Sequence, residues 1–414
     1  MPKDMHRLLR KIAQLADCNH MRIYLVGGFV RDLILAKPNF DIDIVTEGEA
    51  IKLAKILARQ FKATLKLHPR FKTARLDLED RLKLDLASAR TEIYTHPAAL
   101  PKVRLSSLQD DLYRRDFTIN ALALGLNQDN FAKLIDFFNA EQDLRQKRIR
   151  VLHDLSFIDD PTRILRAVRF EQRFDFKIDK DTERLMRTAV NFKMLERLSK
   201  SRLAKELILL LSEPHPVKVV SRMNQLCKLK FIHPKIRFNQ DTEKSLKAAQ
   251  AMLYKSNRFS IKPESWIVYF LILIDGIGLQ ICQTMCKNFG FKKKVRECVV
   301  ASKMQIKGAA KRISRFKNIQ PSQVYRILKP LPIEVIIFLW TKSRHRKTKE
   351  LYTKFLIKYA NIKLKITGDD LKKLSLPAGP VFKKVLDNTL YAKIDGLINS
   401  KQEELDFVER LLCV

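Results

Sequence analysis

Asp41 and Asp43 stand two apart in the run Asp41-Ile-Asp-Ile-Val45. Residues i and i+2 of a strand project from one face, so the two carboxylates converge within reach of one hard cation. Asp85, in the alternating run Arg81-Leu-Lys-Leu-Asp-Leu86, could bring a third carboxylate from a neighbouring strand. Three such groups can hold divalent ions that lower the pKa of an attacking hydroxyl and offset the charge of a leaving pyrophosphate. An isolated Asp-x-Asp is most often a solvated strand face; what strengthens it here is the upstream Val26-Gly-Gly-Phe-Val-Arg-Asp32. Gly27 and Gly28 expose backbone N–H groups where a helix is expected to begin, which favours phosphate, and Arg31 adds a planar cation for triphosphate oxygens. Asp32 reads as a cap or as the structural partner of Arg31.

These groups need a sheet to hold them. The run Met21-Arg-Ile-Tyr-Leu-Val26 is strand-like, the runs around Asp43 and Asp85 alternate polar and apolar, and Gly48 to Phe61 carries the 3.6-residue apolar rhythm of a helix. Residues 1–140 therefore read as a mixture of strands and helices. From about Asp143 onward the alternation fades and amphipathic stretches such as Arg163 to Phe174 and Leu198 to Leu211 dominate. Proline-marked joints at Glu213-Pro-His-Pro216, Lys262-Pro263 and Lys329-Pro-Leu-Pro332 divide an all-helical remainder.

Composition narrows the partners. The 414 residues include 80 Lys+Arg against 45 Asp+Glu, a formal charge of +35, and are 46% hydrophobic, enough for two or more cores and incompatible with disorder throughout. Residues 1–140 carry 23 basic and 17 acidic side chains, whereas the rest carries 57 and 28, so the C-terminal two thirds reads as the part that grips a polyanion. The six cysteines, Cys18, Cys227, Cys282, Cys286, Cys298 and Cys413, form no paired framework, which argues against a disulfide scaffold or zinc site and for a reducing cytosol. Cys282 and Cys286 read as core thiols one helical turn apart. The longest apolar runs, Trp266 to Ile274 and Val335 to Trp340, are too short to span a bilayer, and Met1 to Lys11 lacks a signal-peptide core. A soluble, cytoplasmic protein with no membrane partner is expected.

Gly27-Gly-x-Val-Arg-Asp32 followed by Asp41-Ile-Asp43 resembles the head-domain signature of class II tRNA nucleotidyltransferases and bacterial poly(A) polymerases. Arg114-Arg-Asp-Phe-Thr-Ile-Asn-Ala121 is similar to that family's ribose- and nucleotide-contacting motif, and Leu134-Ile-Asp-Phe-Phe with Asp143-Leu144 and Arg150 to its connector. Asp159-Asp-Pro-Thr-Arg163, continuing through Arg166 and Arg169, resembles the base-selecting helix, with Asp159 where the family usually has Glu. Leu198-Ser-Lys-Ser-Arg202-Leu-Ala-Lys-Glu206 is similar to the last motif, whose Arg and Glu, four apart, are expected to pair and brace the neck.

The resemblance implies an α+β fold: a polymerase-beta-like nucleotidyltransferase head with a mixed sheet at 1–140, then an all-helical neck at 141–212, body at 213–330 and tail at 331–414. It implies that Asp41, Asp43 and Asp85 are catalytic, the first two binding Mg²⁺, and that Gly27, Gly28, Arg31, Arg115, Asp116, Arg166 and Arg169 contact the nucleotide. Asp160 and Arg163 would select the base by presenting an acceptor and donors to its edge. The partners implied are CTP, ATP and the tRNA 3′ end, gripped along its acceptor and T arms.

His68-Pro-Arg-Phe-Lys-Thr-Ala74 resembles the form found in tRNA enzymes rather than in poly(A) polymerases. The stretch Asp85 to Tyr94 through Pro97-Ala-Ala-Leu-Pro101 resembles the flexible loop of enzymes able to add the terminal adenosine. Arg150-Val-Leu-His-Asp-Leu-Ser-Phe-Ile-Asp-Asp resembles a branch that includes A-adding specialists, longer at the N-terminus than this chain. Addition of CCA from CTP and ATP is the leading expectation, with A-only addition and poly(A) synthesis as alternatives. A catalytically silent RNA-binding protein and a transferase acting on a small molecule are more distant ones. The oligomeric state is not legible.

Overall fold

The computed structural model describes residues 3–78, 82–259, 261–315, 318–374 and 379–412. Arg81 and Cys413 lie outside the described residues. The chain folds into two compact units, residues 1–206 and 207–414.

The first unit is built on a seven-stranded mixed sheet. Its strands are β1 (Arg22–Val26), β2 (Asp41–Glu47), β3 (Thr64–His68), β4 (Thr73–Asp77), β5 (Lys83–Ser88), β8 (Ala123–Gly125) and β9 (Leu134–Ile135), in the order β3-β4-β5-β2-β1-β8-β9. Strands β2 and β5 are parallel and the other neighbours antiparallel. The alternation in sequence explains which face is buried. Ile42 and Ile44 pair in register with Leu84 and Leu86, and these with Leu76 and Ala74. All six are buried, together with Leu53 and Leu57 of helix α3 (Ala50–Gln60). Side chains of odd number on β2, β4 and β5 take the opposite face, where Asp43, Arg75 and Asp85 lie.

Around this sheet the unit adds α1 (Lys3–Asp17), α2 (Gly28–Ile34), α4 (Leu108–Tyr113), α5 (Ala140–Arg145), α6 (Ser156–Asp159), α7 (Thr162–Phe174) and α8 (Lys180–Asn191). The stretch that resembles a flexible loop contains an antiparallel hairpin, β6 (Arg90–Ile93) on β7 (Lys102–Leu105). A further short parallel pair joins β10 (Arg148–Ile149) to β11 (Lys177–Ile178). Helix α9 (Lys200–Leu211) follows.

The second unit is helical throughout its described residues, beginning with α10 (Pro216–Cys227), α11 (Gln240–Leu253), α12 (Ser265–Leu273), α13 (Leu279–Asn288) and α14 (Lys293–Met304). It continues with α15 (Ile306–Ser314), α16 (Pro321–Leu328) and α17 (Ile333–Lys342), and further helices reach Leu412. The apolar runs around Trp266 and Val335 are the buried helices α12 and α17 of this unit. Each proline-marked joint falls between helices or at the first residue of one. Among the described residues no helix is long and apolar enough to cross a membrane.

Candidate active site

A cavity of about 740 Å³ opens on the polar face of the first unit's sheet. Asp43 and Asp85, register partners on β2 and β5, share its wall with Arg75, Gly28 and Arg31, and Asp160, Arg163 and Arg166 line it as well. Arg115 and Asp116 complete the predicted residues brought together there. Three predicted residues are not in its lining: exposed Asp41 at the start of β2, Gly27, and Arg169.

Burial pushes the Asp43 carboxyl up to about 6, an effect that Arg115 opposes and the negative charges of Asp85 and Asp41 reinforce. Two repelling carboxylates on one strand face form an oxygen donor set suited to a hard divalent cation. Asp85, the expected third member, is engaged elsewhere: Arg75 donates to its two oxygens from Nε at 2.7 Å and Nη2 at 2.6 Å. Among the described residues no group of three or more His, Cys, Asp or Glu is disposed to hold one ion. Asp41 and Asp43 therefore form a two-carboxylate set, which fits Mg²⁺ because that ion completes its shell with water and substrate phosphate.

The glycine pair behaves as a sharp joint. Gly27 has φ of +70°, and a Cβ there would lie 2.5 Å from Nη1 of Arg115, so the missing side chain makes room for that guanidinium. Helix α2 is only seven residues long. Arg31 is buried and donates to Asp32 Oδ1 from Nε at 2.8 Å and to Asn120 Oδ1 from Nη1 at 2.5 Å. Asp32 is thus the arginine's structural partner, as its adjacency implied.

Asp116 is buried and works through other side chains. It accepts from Arg166 Nε at 2.7 Å and from Asn120 at 2.8 Å. Burial alone would raise its carboxyl, but Arg166 and Asn120 hold it down at about 2. Arg166 thereby reaches the cavity on a fixed tether, while Arg169 turns to Glu206 at 3.3 Å. The expected pairing of Arg202 with Glu206 is not what forms: both reach towards the segment of α7, Glu206 to Arg169 and Arg202 to Asp160. The physical reason is proximity to stronger partners, since each finds an opposite charge across the helix interface instead of along an exposed helix face.

The base-selecting candidates are fixed from behind. Oδ1 of Asp160 accepts from the Thr162 N–H at 2.9 Å, the Thr162 hydroxyl at 2.6 Å and Arg202 Nη2 at 2.7 Å. Arg163 donates from Nη1 to Ser156 Oγ at 2.6 Å and from Nη2 to the Arg114 carbonyl at 2.7 Å. Each group keeps further hydrogen-bonding capacity, an acceptor oxygen on Asp160 and N–H groups on Arg163. Glu92 on the hairpin accepts from Arg114 at 3.1 Å and from the Tyr94 hydroxyl at 2.9 Å.

Sequence reasoning missed Arg75, Asn120 and Ser156. Asn120 stands inside the Arg114–Ala121 motif, and Arg75 lies two residues after Thr73 on a strand whose alternation would have put it on the Asp85 side; Ser156 carried no signal.

Residues 23–150 match the family described as "Poly A polymerase head domain", and residues 175–238 the one described as "Probable RNA and SrmB- binding site of polymerase A". The chain is 37% identical over 417 residues to the A-adding tRNA nucleotidyltransferase of Geobacter sulfurreducens, covering 99% of this chain and 47% of that one. It is 30% identical to the A-adding tRNA nucleotidyltransferase of Halalkalibacterium halodurans, covering 98% and 92%. Thus it spans about half the length of the relatives from Geobacter sulfurreducens and Aquifex aeolicus, the latter at 43%, and nearly all of the one from Halalkalibacterium halodurans. Among solved structures, a CCA-adding enzyme in apo form II superimposes with a TM-score of 0.79 at 35% identity, covering 100% of this chain and 97% of that one. The Thermotoga maritima CCA-adding enzyme complexed with tRNA_CCA gives 0.75 at 33%, covering 100% and 96%.

Proposed function

The chain belongs to the tRNA nucleotidyltransferase family, and from that premise we propose that it completes the 3′ CCA end of tRNA from CTP and ATP without a nucleic-acid template, releasing pyrophosphate. One observation carries this reading: a single cavity joins the carboxylate face of the sheet to Asp160 and Arg163 on the helical side. Transfer chemistry and base choice can therefore act on one bound nucleotide.

Asp41 and Asp43 would hold Mg²⁺. When bound, that ion lowers the pKa of the attacking hydroxyl and offsets charge on the departing pyrophosphate. Arg31, Arg115 and Arg166 offer cations to the triphosphate, and Gly27 and Gly28 let the chain turn closely beneath it. Asp116 acts by orienting Arg166. Asp160 and Arg163 offer an acceptor and donors to the base edge, a pattern that both cytosine and adenine can meet through an amino group and a ring nitrogen. The tRNA 3′-hydroxyl attacks the α-phosphate, the bond to the bridging oxygen breaks, and pyrophosphate carries away the electron pair. The basic helical body and tail would hold the tRNA acceptor and T arms by phosphate charge and shape. These substrates put the proposed activity in the cytoplasm.

A second reading, addition of the terminal A alone, is favoured by the A-adding names of relatives that match along nearly the whole chain. Incorporation on tRNA ending before CCA, at C and at CC, with CTP, ATP or both, separates the two. Two C and one A followed by a stop supports CCA addition, whereas A added only to the CC-ended form supports the specialist. Long A tails on unrelated RNA would point to a poly(A) polymerase, and tRNA binding without incorporation would overturn the enzymatic reading. Asp41→Ala should abolish transfer and leave tRNA binding nearly intact; unchanged turnover would remove the cation site.

A further inference from the structure

Four charged residues form a row across adjacent strands on the polar face of the sheet. Lys66 on β3 is the register partner of Arg75 on β4, Arg75 of Asp85 on β5, and Asp85 of Asp43 on β2. Two cations thus meet two anions along one line, and neighbours in such a row interact directly. Lys66 turns aside to Asp77 at 2.8 Å. Arg75 instead grips both oxygens of Asp85, a bidentate pair with planar complementarity. The Arg75 and Asp85 side chains are 45% and 38% exposed, so this pair can open without disturbing the core.

We propose that Arg75 is a positioning residue that masks Asp85 in the nucleotide-free enzyme, so that an arriving divalent cation meets Asp41 and Asp43 and not the third carboxylate. The proposal rests on the reading of Asp41 and Asp43 as the cation's ligands. Two effects act together. The guanidinium occupies the carboxylate oxygens that a cation would use, and its own charge, held beside Asp85, repels a second positive ion. Arg75 lines the same cavity as Arg31 and Arg115, so a bound triphosphate would offer it another anion and release Asp85.

The test is titration of the full chain with Mn²⁺ alone, following free Mn²⁺ by electron paramagnetic resonance. Arg75→Leu should tighten the Mn²⁺ Kd by about five- to twentyfold, the scale expected for unmasking one carboxylate at a partly exposed site. Lys66→Leu removes the same formal charge one strand farther away and should change Kd by less than about twofold. Adding Asp85→Asn to Arg75→Leu should erase the gain. An unchanged Kd in a folded Arg75→Leu protein, or a gain that survives Asp85→Asn, overturns the proposal while leaving the cation site standing. Mn²⁺ binding that ignores Asp41→Ala overturns both.

Discussion

Arg202 donates to Oδ1 of Asp160 at 2.7 Å and, from its other terminal nitrogen, to the carbonyl of Ala98 at 3.1 Å. One guanidinium thus fixes the carboxylate proposed to select the base and the segment between β6 and β7 together. With Thr162 also bonded to Oδ1, the orientation of Asp160 is set by the protein, and Oδ2 is the oxygen left to address a base.

Arg202→Gln should therefore blur nucleotide choice. A hydrogen bond to a charged group contributes roughly 1.5–3 kcal/mol, so kcat/KM for the preferred nucleotide should fall about 10- to 100-fold. The ratio of CTP to ATP incorporation should move towards unity, because Asp160 loses its charged tether and is held only by the two Thr162 hydrogen bonds on Oδ1. Glu206→Gln removes only the negative charge facing Arg169 and should leave that ratio unchanged. Separate single-nucleotide incorporation with each triphosphate measures both.

Asp116 predicts a pH dependence of stability. Its carboxyl is held at about 2 in the folded protein, below the ordinary value of 3.8. A depressed carboxylate contributes stability that is fully present above the unfolded pKa and is lost as pH falls through the folded one. The contribution, about 2–3 kcal/mol, should thus fade between about pH 4 and 2. Asp116→Asn should remove that part of the acid slope and destabilise the first unit at neutral pH by about 3 kcal/mol, since Arg166 loses its partner. Denaturant melts between pH 7 and 2.5 read both effects.

The strands around Asp43 and Asp85 were legible because period-2 alternation both names a strand and assigns its faces: Ile42, Ile44, Leu84 and Leu86 are buried, and the aspartates face away. The glycine joint was legible because adjacent glycines are rare in this chain. Partner choice was not. Arg202 and Glu206 obey the spacing of a helix-surface pair, yet each finds its opposite charge in Asp160 or Arg169, more than 30 residues away in sequence. The Arg75–Asp85 pair depends on strand register, which a single sequence does not fix. Local periodicity therefore revealed the elements, while long-range pairing decided which charged atoms remain available to a ligand.

Gly27→Ala tests the joint. At φ of +70° an alanine is strained by about 1 kcal/mol or more, and its methyl would meet Arg115 Nη1 at 2.5 Å. Arg115 is a flexible side chain, so it should yield while the fold survives. The expected signature is a Tm lowered by only a few degrees with a nucleotide KM raised about tenfold or more, because a displaced cation no longer meets the triphosphate. A normal KM would show that Arg115 does not act on the nucleotide.

Glu334 tests the helical half independently of catalysis. It lies on α17 with its side chain 1% exposed, and accepts from Lys294 Nζ at 2.8 Å and from the Glu264 N–H at 3.0 Å, just before α12 begins. It therefore joins α14 and α17 while satisfying a backbone donor near the start of α12. Glu334→Ala leaves that backbone donor without its acceptor, leaves Lys294 only its contact with Glu264 Oε1 at 3.1 Å and opens a cavity, so a loss of about 3–5 kcal/mol is expected. Glu334→Gln keeps an acceptor oxygen and nearly the same volume, and should cost about half as much or less. Thermal melts of the two variants read the difference: equal losses would mean that the negative charge, rather than hydrogen-bond acceptance, holds these helices together.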